Sequence, residues 1–157
     1  MLSFKIEQIA ISPKDPAAAK KLLSEMGLSQ WTEDHVKAGG FVFGVAGENE
    51  ANLSFNYEAF AGNEFEILDY TTGPNWMASP DRHYSTSHLG MHVSAAELIE
   101  WRAFFAEREI FVAQEVFTES HTNAYLLENG RKYNYVIFDT RHILGVDVKF
   151  IVRINKV

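Results

Sequence analysis

The sequence repeats one order of patterns in its two halves, and this repeat constrains the fold more than any other feature. In the first half, an alternating segment at 4–12 precedes a helix pattern that ends at Gly27. In the second half, the segment 87–93 precedes a helix pattern that ends near Glu109. Extended segments follow each helix. A period this long indicates two supersecondary modules, neither of which can bury its sheet alone, so the two are expected to share one core.

Each helix pattern has a recognisable start and an apolar stripe. Asp15 followed by Pro16 predicts an N-cap and a first helical residue. Ser94 with Glu97 predicts a capping box. The stripes expected to face the core are Leu22, Leu23 and Met26 in the first helix, and Leu98, Trp101, Phe104 and Phe105 in the second.

Polar and glycine-rich breaks, among them Gly39-Gly40, divide the rest of the chain into short strands. Asn129-Gly130 predicts a hairpin turn. Each half therefore follows the order β-α-β-β-β, with one extra short strand possible. The first module is expected at 1–75, a linker at 76–86 and the second module at 87–157. The strands expected after the helices are 31–37, 41–46, 53–58 and 64–70, then 111–119, 123–128, 133–138 and 144–153.

Composition limits the kinds of protein that this chain can be. Its 157 residues are 46% hydrophobic, which is ample for one packed interior, and no apolar run is long enough for a membrane span. The formal net charge is −7 without a basic stripe, which argues against nucleic-acid binding. The chain has no cysteine and opens without a signal-peptide core, so we expect a cytoplasmic protein.

The repeat also pairs four polar residues that would point inward. Gln8 and His88 are 80 positions apart on the two first strands, and Glu66 and Lys149 are 83 apart on the two closing strands. Amide, carboxylate and imidazole together suit a divalent Zn, Ni, Fe, Mn or Co ion. Each residue taken singly is also an ordinary polar side chain of a half-exposed sheet.

Short motifs along nearly the whole chain carry a family resemblance. They are Glu7-Gln8-Ile9-Ala10-Ile11, Lys20-Lys21-Leu22-Leu23 with Gly27-Leu28, Phe65-Glu66-Ile67-Leu68, Ser87-His88-Leu89-Gly90-Met91-His92-Val93, and Asp139-Thr140 leading to Gly145. In these motifs the chain resembles the vicinal oxygen chelate superfamily, which includes glyoxalase I, extradiol dioxygenases, methylmalonyl-CoA epimerase and bleomycin-binding proteins.

The resemblance implies an α+β fold in which two βαβββ modules form a cupped, open, eight-stranded, barrel-like sheet around a metal. It also implies that Gln8, Glu66 and His88 are the metal ligands. The expected activity is lyase, isomerase or dioxygenase chemistry on a small oxygen-rich substrate, through chelation of two neighbouring oxygens. The rival hypothesis is a metal-free protein that binds an antibiotic or another small molecule, as a homodimer.

The fourth position departs from the superfamily pattern. The acidic ligand and base of glyoxalases falls on Lys149, and an ammonium group is only a donor. Three alternatives follow: a three-ligand site, a site in which Asp147 is the fourth ligand or general base, or a Lys149–Glu66 salt bridge with no metal.

Two histidines are further candidates for the substrate pocket. His92 shares a strand face with His88, and His121 lies in a polar break between strands. With Lys149 they complete the candidates. Aromatic residues of the predicted strands, such as Phe55, Tyr57 and Tyr135, are expected to pack between the sheet and the helices.

Overall fold

A computed structural model describes residues 2–59, 63–80, 82–120 and 132–154. Eight strands form one closed barrel in the order β1-β4-β3-β2-β6-β7-β8-β5. The strands are β1 (Gln8–Ile11), β2 (Trp31–Val42), β3 (Val45–Asn56), β4 (Glu64–Thr72), β5 (Thr86–His92), β6 (Val112–Ser120), β7 (Lys132–Phe138) and β8 (Asp147–Arg153).

The strand order confirms the α+β fold with two equivalent modules. Four strands of each half pair in the same sequence, with the first and closing strands parallel in both. The sheet was expected to be open, but it is closed because β2 pairs with β6 at the one seam and β1 with β5 at the other. Closure joins the two modules along both seams and leaves fewer unpaired strand edges.

Strand register supports the equivalence of the four polar positions. Ala10 lies beside Glu66 in the parallel pair of the first module, and Gly90 lies beside Lys149 in that of the second. An offset of 80 on the first strands therefore requires one of 83 on the closing strands, as the sequence predicted.

Helix α1 (Pro16–Glu25) and helix α2 (Ala95–Ala106) begin where the sequence predicts. The Asp15 side chain accepts a hydrogen bond from the Ala18 amide, and Ser94 and Glu97 form the capping box. A third, four-residue helix, α3 (Arg141–Leu144), ends at the left-handed Gly145 and was not predicted.

The two helices differ in how they pack. Leu98, Trp101 and Phe105 of α2 are buried against the outer face of the second module. The stripe predicted for α1 is wrong, because α1 has no buried residue and Leu22 and Met26 are largely exposed.

The break predicted at Gly39-Gly40 is also wrong, because both residues lie inside the long strand β2. A β-carbon on Gly40 would come within 2.0 Å of the Glu115 carbonyl oxygen. Glycine is therefore needed here for close approach of β6, not for a turn. The chain reverses instead at Phe43 and Gly44, both with positive φ. The predicted strand at 123–128 and the Asn129-Gly130 turn lie outside the described residues.

One end of the barrel is filled by the segment between the modules. A 3-10 turn (Trp76–Ala78) places Trp76 and Met77 in the interior, where they pack with Leu53, Leu68 and other apolar residues of the first module. Only about 20 Å³ of space remains around these side chains. A larger cavity lies at the opposite end of the barrel, which we call the mouth.

Candidate functional site

The four equivalent polar residues share the inner face of the barrel and are all buried. Gln8 is 2% exposed, Glu66 and His88 are 0%, and Lys149 is 5%. Side chains alternate between the two faces of a strand, so the pairing of Ala10 with both Glu66 and His88 puts this set on one face. Buried polar groups in this number inside a barrel require either mutual hydrogen bonds or a ligand.

His88 is held at both ring nitrogens. Its Nε2 lies 2.6 Å from the Gln8 Oε1, and its Nδ1 lies 2.9 Å from the Ser87 hydroxyl oxygen. Burial, and then the positive charges of Lys149 and Arg141, lower the pKa of the imidazole well below its ordinary value. His88 is therefore neutral near pH 7, which is the form that binds metals.

Glu66 has no such support. Both of its carboxylate oxygens are buried without a hydrogen-bond partner among the described residues. Its Oε1 lies 3.7 Å from the His88 Nε2, beyond hydrogen-bonding distance. Burial raises the pKa of Glu66, as does the negative charge of Glu64, while the charge of Lys149 acts in the opposite direction.

Lys149 is turned toward an aromatic ring. Its Nζ lies 4.0 Å from the centre of the Tyr135 ring, a cation–π contact. Burial lowers the pKa of Lys149, against the opposing charges of Glu66 and Glu64. No ion pair within 4 Å joins Lys149 to Glu66 among the described side chains. Lys149 thus affects Glu66 through its field and leaves the carboxylate oxygens without a donor.

Asp147 is fully engaged elsewhere. Its Oδ2 accepts hydrogen bonds from Trp76 Nε1 at 3.1 Å, Arg82 Nε at 2.8 Å and Arg141 Nε at 3.2 Å. Its Oδ1 accepts from the Arg141 backbone amide. Two guanidinium groups compensate the charge of this carboxylate. Asp147 therefore differs from Glu66, whose oxygens have no donor among the described residues.

The mouth holds a cavity of about 140 Å³, and of the four polar residues it is Gln8 that lines it. Gln8 and Leu53 lie at its floor, and His92 lies at its rim, where its Nε2 is 3.1 Å from the Glu64 carboxylate. His92 therefore lies at the opening of this cavity. The third pocket candidate, His121, lies outside the described residues.

The walls of the mouth are aromatic, contrary to the expectation that these rings pack under the helices. Phe55 of β3 and Tyr57, just after that strand, line one side, and Tyr133 and Tyr135 of β7 line another. The period-2 alternation on β3 and β7 contains this information, but it does not tell which face is interior until the barrel closes.

The donor chemistry of the four-residue set fits a divalent ion bound by three ligands. An amide oxygen, a carboxylate oxygen and a neutral imidazole nitrogen converge, and the carboxylate lacks any other partner. No three His, Asp or Glu side chains cluster in the described parts of the chain, so the site depends on Gln8 as the third donor. Lys149 cannot contribute a ligand while it carries its proton.

Comparison with solved structures identifies the fold. The chain is similar to a hypothetical protein from Bacillus halodurans C-125, with a TM-score of 0.53 and 11% identity over 98% of this chain and 96% of the other. It is also similar to methylmalonyl-CoA epimerase from Mycobacterium tuberculosis, with a TM-score of 0.51 and 10% identity over 99% of this chain and 94% of the other. No protein-family model and no curated protein matches the sequence. The likeness is therefore one of fold alone, and it agrees with the fold that the resemblance implied.

Proposed function

We propose that this chain, with its vicinal oxygen chelate fold, is a metal-dependent enzyme that acts on a small oxygen-rich molecule bound in the mouth. Gln8, Glu66 and His88 would hold the ion. The observation that carries the proposal is the Glu66 carboxylate, whose two oxygens are buried without a donor among the described residues, although a lysine lies in the same interior. A native fold leaves few polar groups in that state, and each one calls for an explanation such as a missing ion.

A divalent ion held there would supply Lewis-acid polarisation of neighbouring substrate oxygens, for lyase, isomerase or dioxygenase chemistry. The chain's own residues would orient the ligands and close one end of the cavity. Gln8 is fixed by its contact with His88. The Ser87 hydroxyl lies at hydrogen-bonding distance from the other ring nitrogen, and with Nε2 on an ion the Nδ1–H would donate to the Ser87 oxygen, which sets the plane of the imidazole. The Trp76 plug closes the far end of the barrel and so excludes water from that side.

Lys149 replaces the carboxylate that the superfamily pattern has at this position. A lysine Nζ can donate hydrogen bonds to a substrate oxygen, which an ionised carboxylate cannot do. Its contact with the Tyr135 ring places it beside a residue that lines the mouth. We therefore assign Lys149 to substrate binding and not to metal binding.

The test is metal binding by untagged, chelator-stripped protein. Wild-type protein should bind one Zn, Ni, Fe, Mn or Co ion per chain and melt at a higher temperature when the ion is present, because a ligand of the native state alone stabilises it. His88→Ala should abolish both effects. His142→Ala is the matched control, since His142 is exposed on α3 and should leave binding intact. Binding that survives His88→Ala would remove the proposed site.

A second candidate function, metal-free binding of a small molecule, is favoured by one specific observation. His88 Nε2 and Gln8 Oε1 lie at hydrogen-bonding distance, so the pair is satisfied without an ion. Melting of Lys149→Glu protein distinguishes the two functions. Wild-type protein that does not respond to metal, together with a strong response of Lys149→Glu, would favour the metal-free binder.

The proposal also covers the oligomeric state, the compartment and the partners of the protein. We expect a homodimer in the cytoplasm, with a small molecule as its partner and no nucleic-acid or membrane partner. In the described part of the chain no helix has the length and apolar character of a membrane span. Light scattering on purified protein measures the oligomeric state.

A further inference from the structure

The mouth of the barrel has the form of a binding site for one flat ring. Four aromatic side chains line the same cavity: Phe55 at the end of β3, Tyr57 just after it, and Tyr133 and Tyr135 on β7. β3 and β7 are equivalent strands of the two modules and are separated in the barrel by β2 and β6. The pseudo-twofold symmetry therefore places an aromatic wall on two sides of one space.

The geometry of the β7 wall suits stacking. The Tyr133 and Tyr135 rings are 5.7 Å apart between centroids and 20° from parallel. They present neighbouring, similarly oriented rings along the depth of the mouth. Aromatic groups favour offset-stacked or edge-to-face contacts with another ring at such walls.

The size of the cavity limits the ligand to one ring. Its volume is about 140 Å³, and a cavity of roughly 150 Å³ holds a benzene molecule. A fused ring system would have to extend past the rim, where Tyr57 is 47% exposed. The same cavity reaches Gln8 at its floor, so a ring in the mouth would bring its substituents to the buried polar residues.

The charges of the rim select among ring compounds. Three carboxylates line the cavity, those of Glu33, Asp34 and Glu64. Among the described residues that line it, His92 is the one basic side chain. Glu33 is paired with Lys20, and Glu64 with His92. An anionic group on the ring would meet this acidic rim before it reached the floor, whereas a neutral or cationic group would not be repelled.

We propose that the mouth binds a ligand with a single aromatic ring that carries no anionic group. This inference deepens the proposed function by naming the class of substrate for the same cavity, and in that sense rests on it. Ring binding itself needs only the aromatic walls, so it can be measured in the absence of metal.

The experiment uses saturation-transfer NMR on full-length protein in EDTA, with four probes of matched size. Benzyl alcohol and benzylamine are the neutral and cationic aromatic probes, benzoate is the anionic one, and cyclohexylmethanol is the saturated control. Benzyl alcohol and benzylamine should bind, and the other two should bind more weakly. Equal binding of cyclohexylmethanol and benzyl alcohol would overturn the inference.

Two variants locate the binding. Tyr133→Leu should weaken benzyl alcohol binding by about threefold to tenfold, since it removes one aromatic pair but keeps an apolar wall. Tyr57→Leu on the other wall is the second variant, in case Tyr133→Leu does not fold. Tyr84→Leu is the control, because Tyr84 is an exposed tyrosine beside His83 that does not line the mouth. Equal loss in Tyr84→Leu, or no loss in either wall variant, would contradict the inference.

The two proposals can fail separately. Selective ring binding in EDTA by a protein that never responds to divalent ions would support the aromatic mouth and remove the metal site. A stoichiometric metal response without preference for aromatic over saturated rings would retain the metal site and overturn the aromatic mouth.

Discussion

Two buried carboxylates on the closing strands of the two modules have opposite environments. Asp147 on β8 accepts hydrogen bonds from Trp76, Arg82 and Arg141. Glu66 on β4 is equally buried but has no donor within the described residues. The same sheet face therefore holds one carboxylate that is part of the structural framework and one that is available for a ligand.

The difference follows from what each carboxylate connects. Arg82 lies in the segment between the modules, and Arg141 begins α3, so Asp147 fastens two loops to the barrel. Arg82 also pairs with Asp139 at the protein surface. Glu66 accepts no hydrogen bond from another segment among the described residues. Burial of its carboxylate without a ligand therefore lowers the stability of the fold. A carboxylate fully compensated by arginines is a stabilising element, whereas an uncompensated one indicates function.

The largest expected effect is on Asp147. Asp147→Asn leaves the two buried guanidinium groups without their counter-charge and should lower the free energy of unfolding by about 3–5 kcal/mol. Urea denaturation in EDTA measures it. Asp139→Asn is the control, because the Asp139 side chain is 37% exposed and its loss should cost about 1 kcal/mol or less. Similar losses in the two variants would show that Asp147 is not the centre of this network.

Glu66 should respond in the opposite direction. Glu66→Gln keeps the shape but removes a buried, unpartnered charge, so in EDTA it should raise the free energy of unfolding by about 1 kcal/mol. This gain is at the lower end of what removal of a buried, unsatisfied polar group gives, because Glu66→Gln also removes the attraction between Glu66 and Lys149. Glu64→Gln is the matched control on the same strand and should cost a few tenths of a kcal/mol, since it breaks a half-exposed pair with His92.

The pH dependence of the same variant has a defined sign. The folded-state pKa of Glu66 is raised above its ordinary value of 4.5, so the folded chain binds a proton that the unfolded chain releases. Wild-type stability relative to Glu66→Gln should then fall as the pH rises above 4.5. A difference between the two proteins that stays constant over this range would mean that Glu66 is ionised and compensated in the fold.

The sequence predicts which positions of the two modules are equivalent, but not which partners each buried carboxylate has. The two offsets place Gln8 opposite His88 and Glu66 opposite Lys149 before any coordinates are known, because a repeated module needs equivalent strands in register. Neither offset predicts that Arg82 and Arg141 reach Asp147, since Arg82 lies in an irregular segment and Arg141 in a four-residue helix too short to show periodicity. The aromatic mouth was missed because it forms only when β2 and β6 close the barrel.

His88 provides the next test, on the second module's first strand. Burial lowers its pKa below the ordinary value of 6.5, so the unfolded chain takes up a proton that the folded chain excludes. Stability should therefore fall as the pH decreases below 6.5. His88→Gln makes this position the same as Gln8 of the first module and should remove that part of the pH dependence. An unchanged slope in His88→Gln would assign the acid sensitivity to another group.

The smallest effect is expected at His92, which lies four residues after His88 on the same strand and the same face. The side chains differ in exposure: His92 is 49% exposed and pairs with Glu64 at the rim, whereas His88 is fully buried. Water screens an exposed pair, so His92→Ala should lower the free energy of unfolding by less than about 1 kcal/mol. It should leave the melting response to metal unchanged, because the proposed ligands lie below it. A loss of metal response equal to that of His88→Ala would move the proposed ion from the buried floor to the mouth.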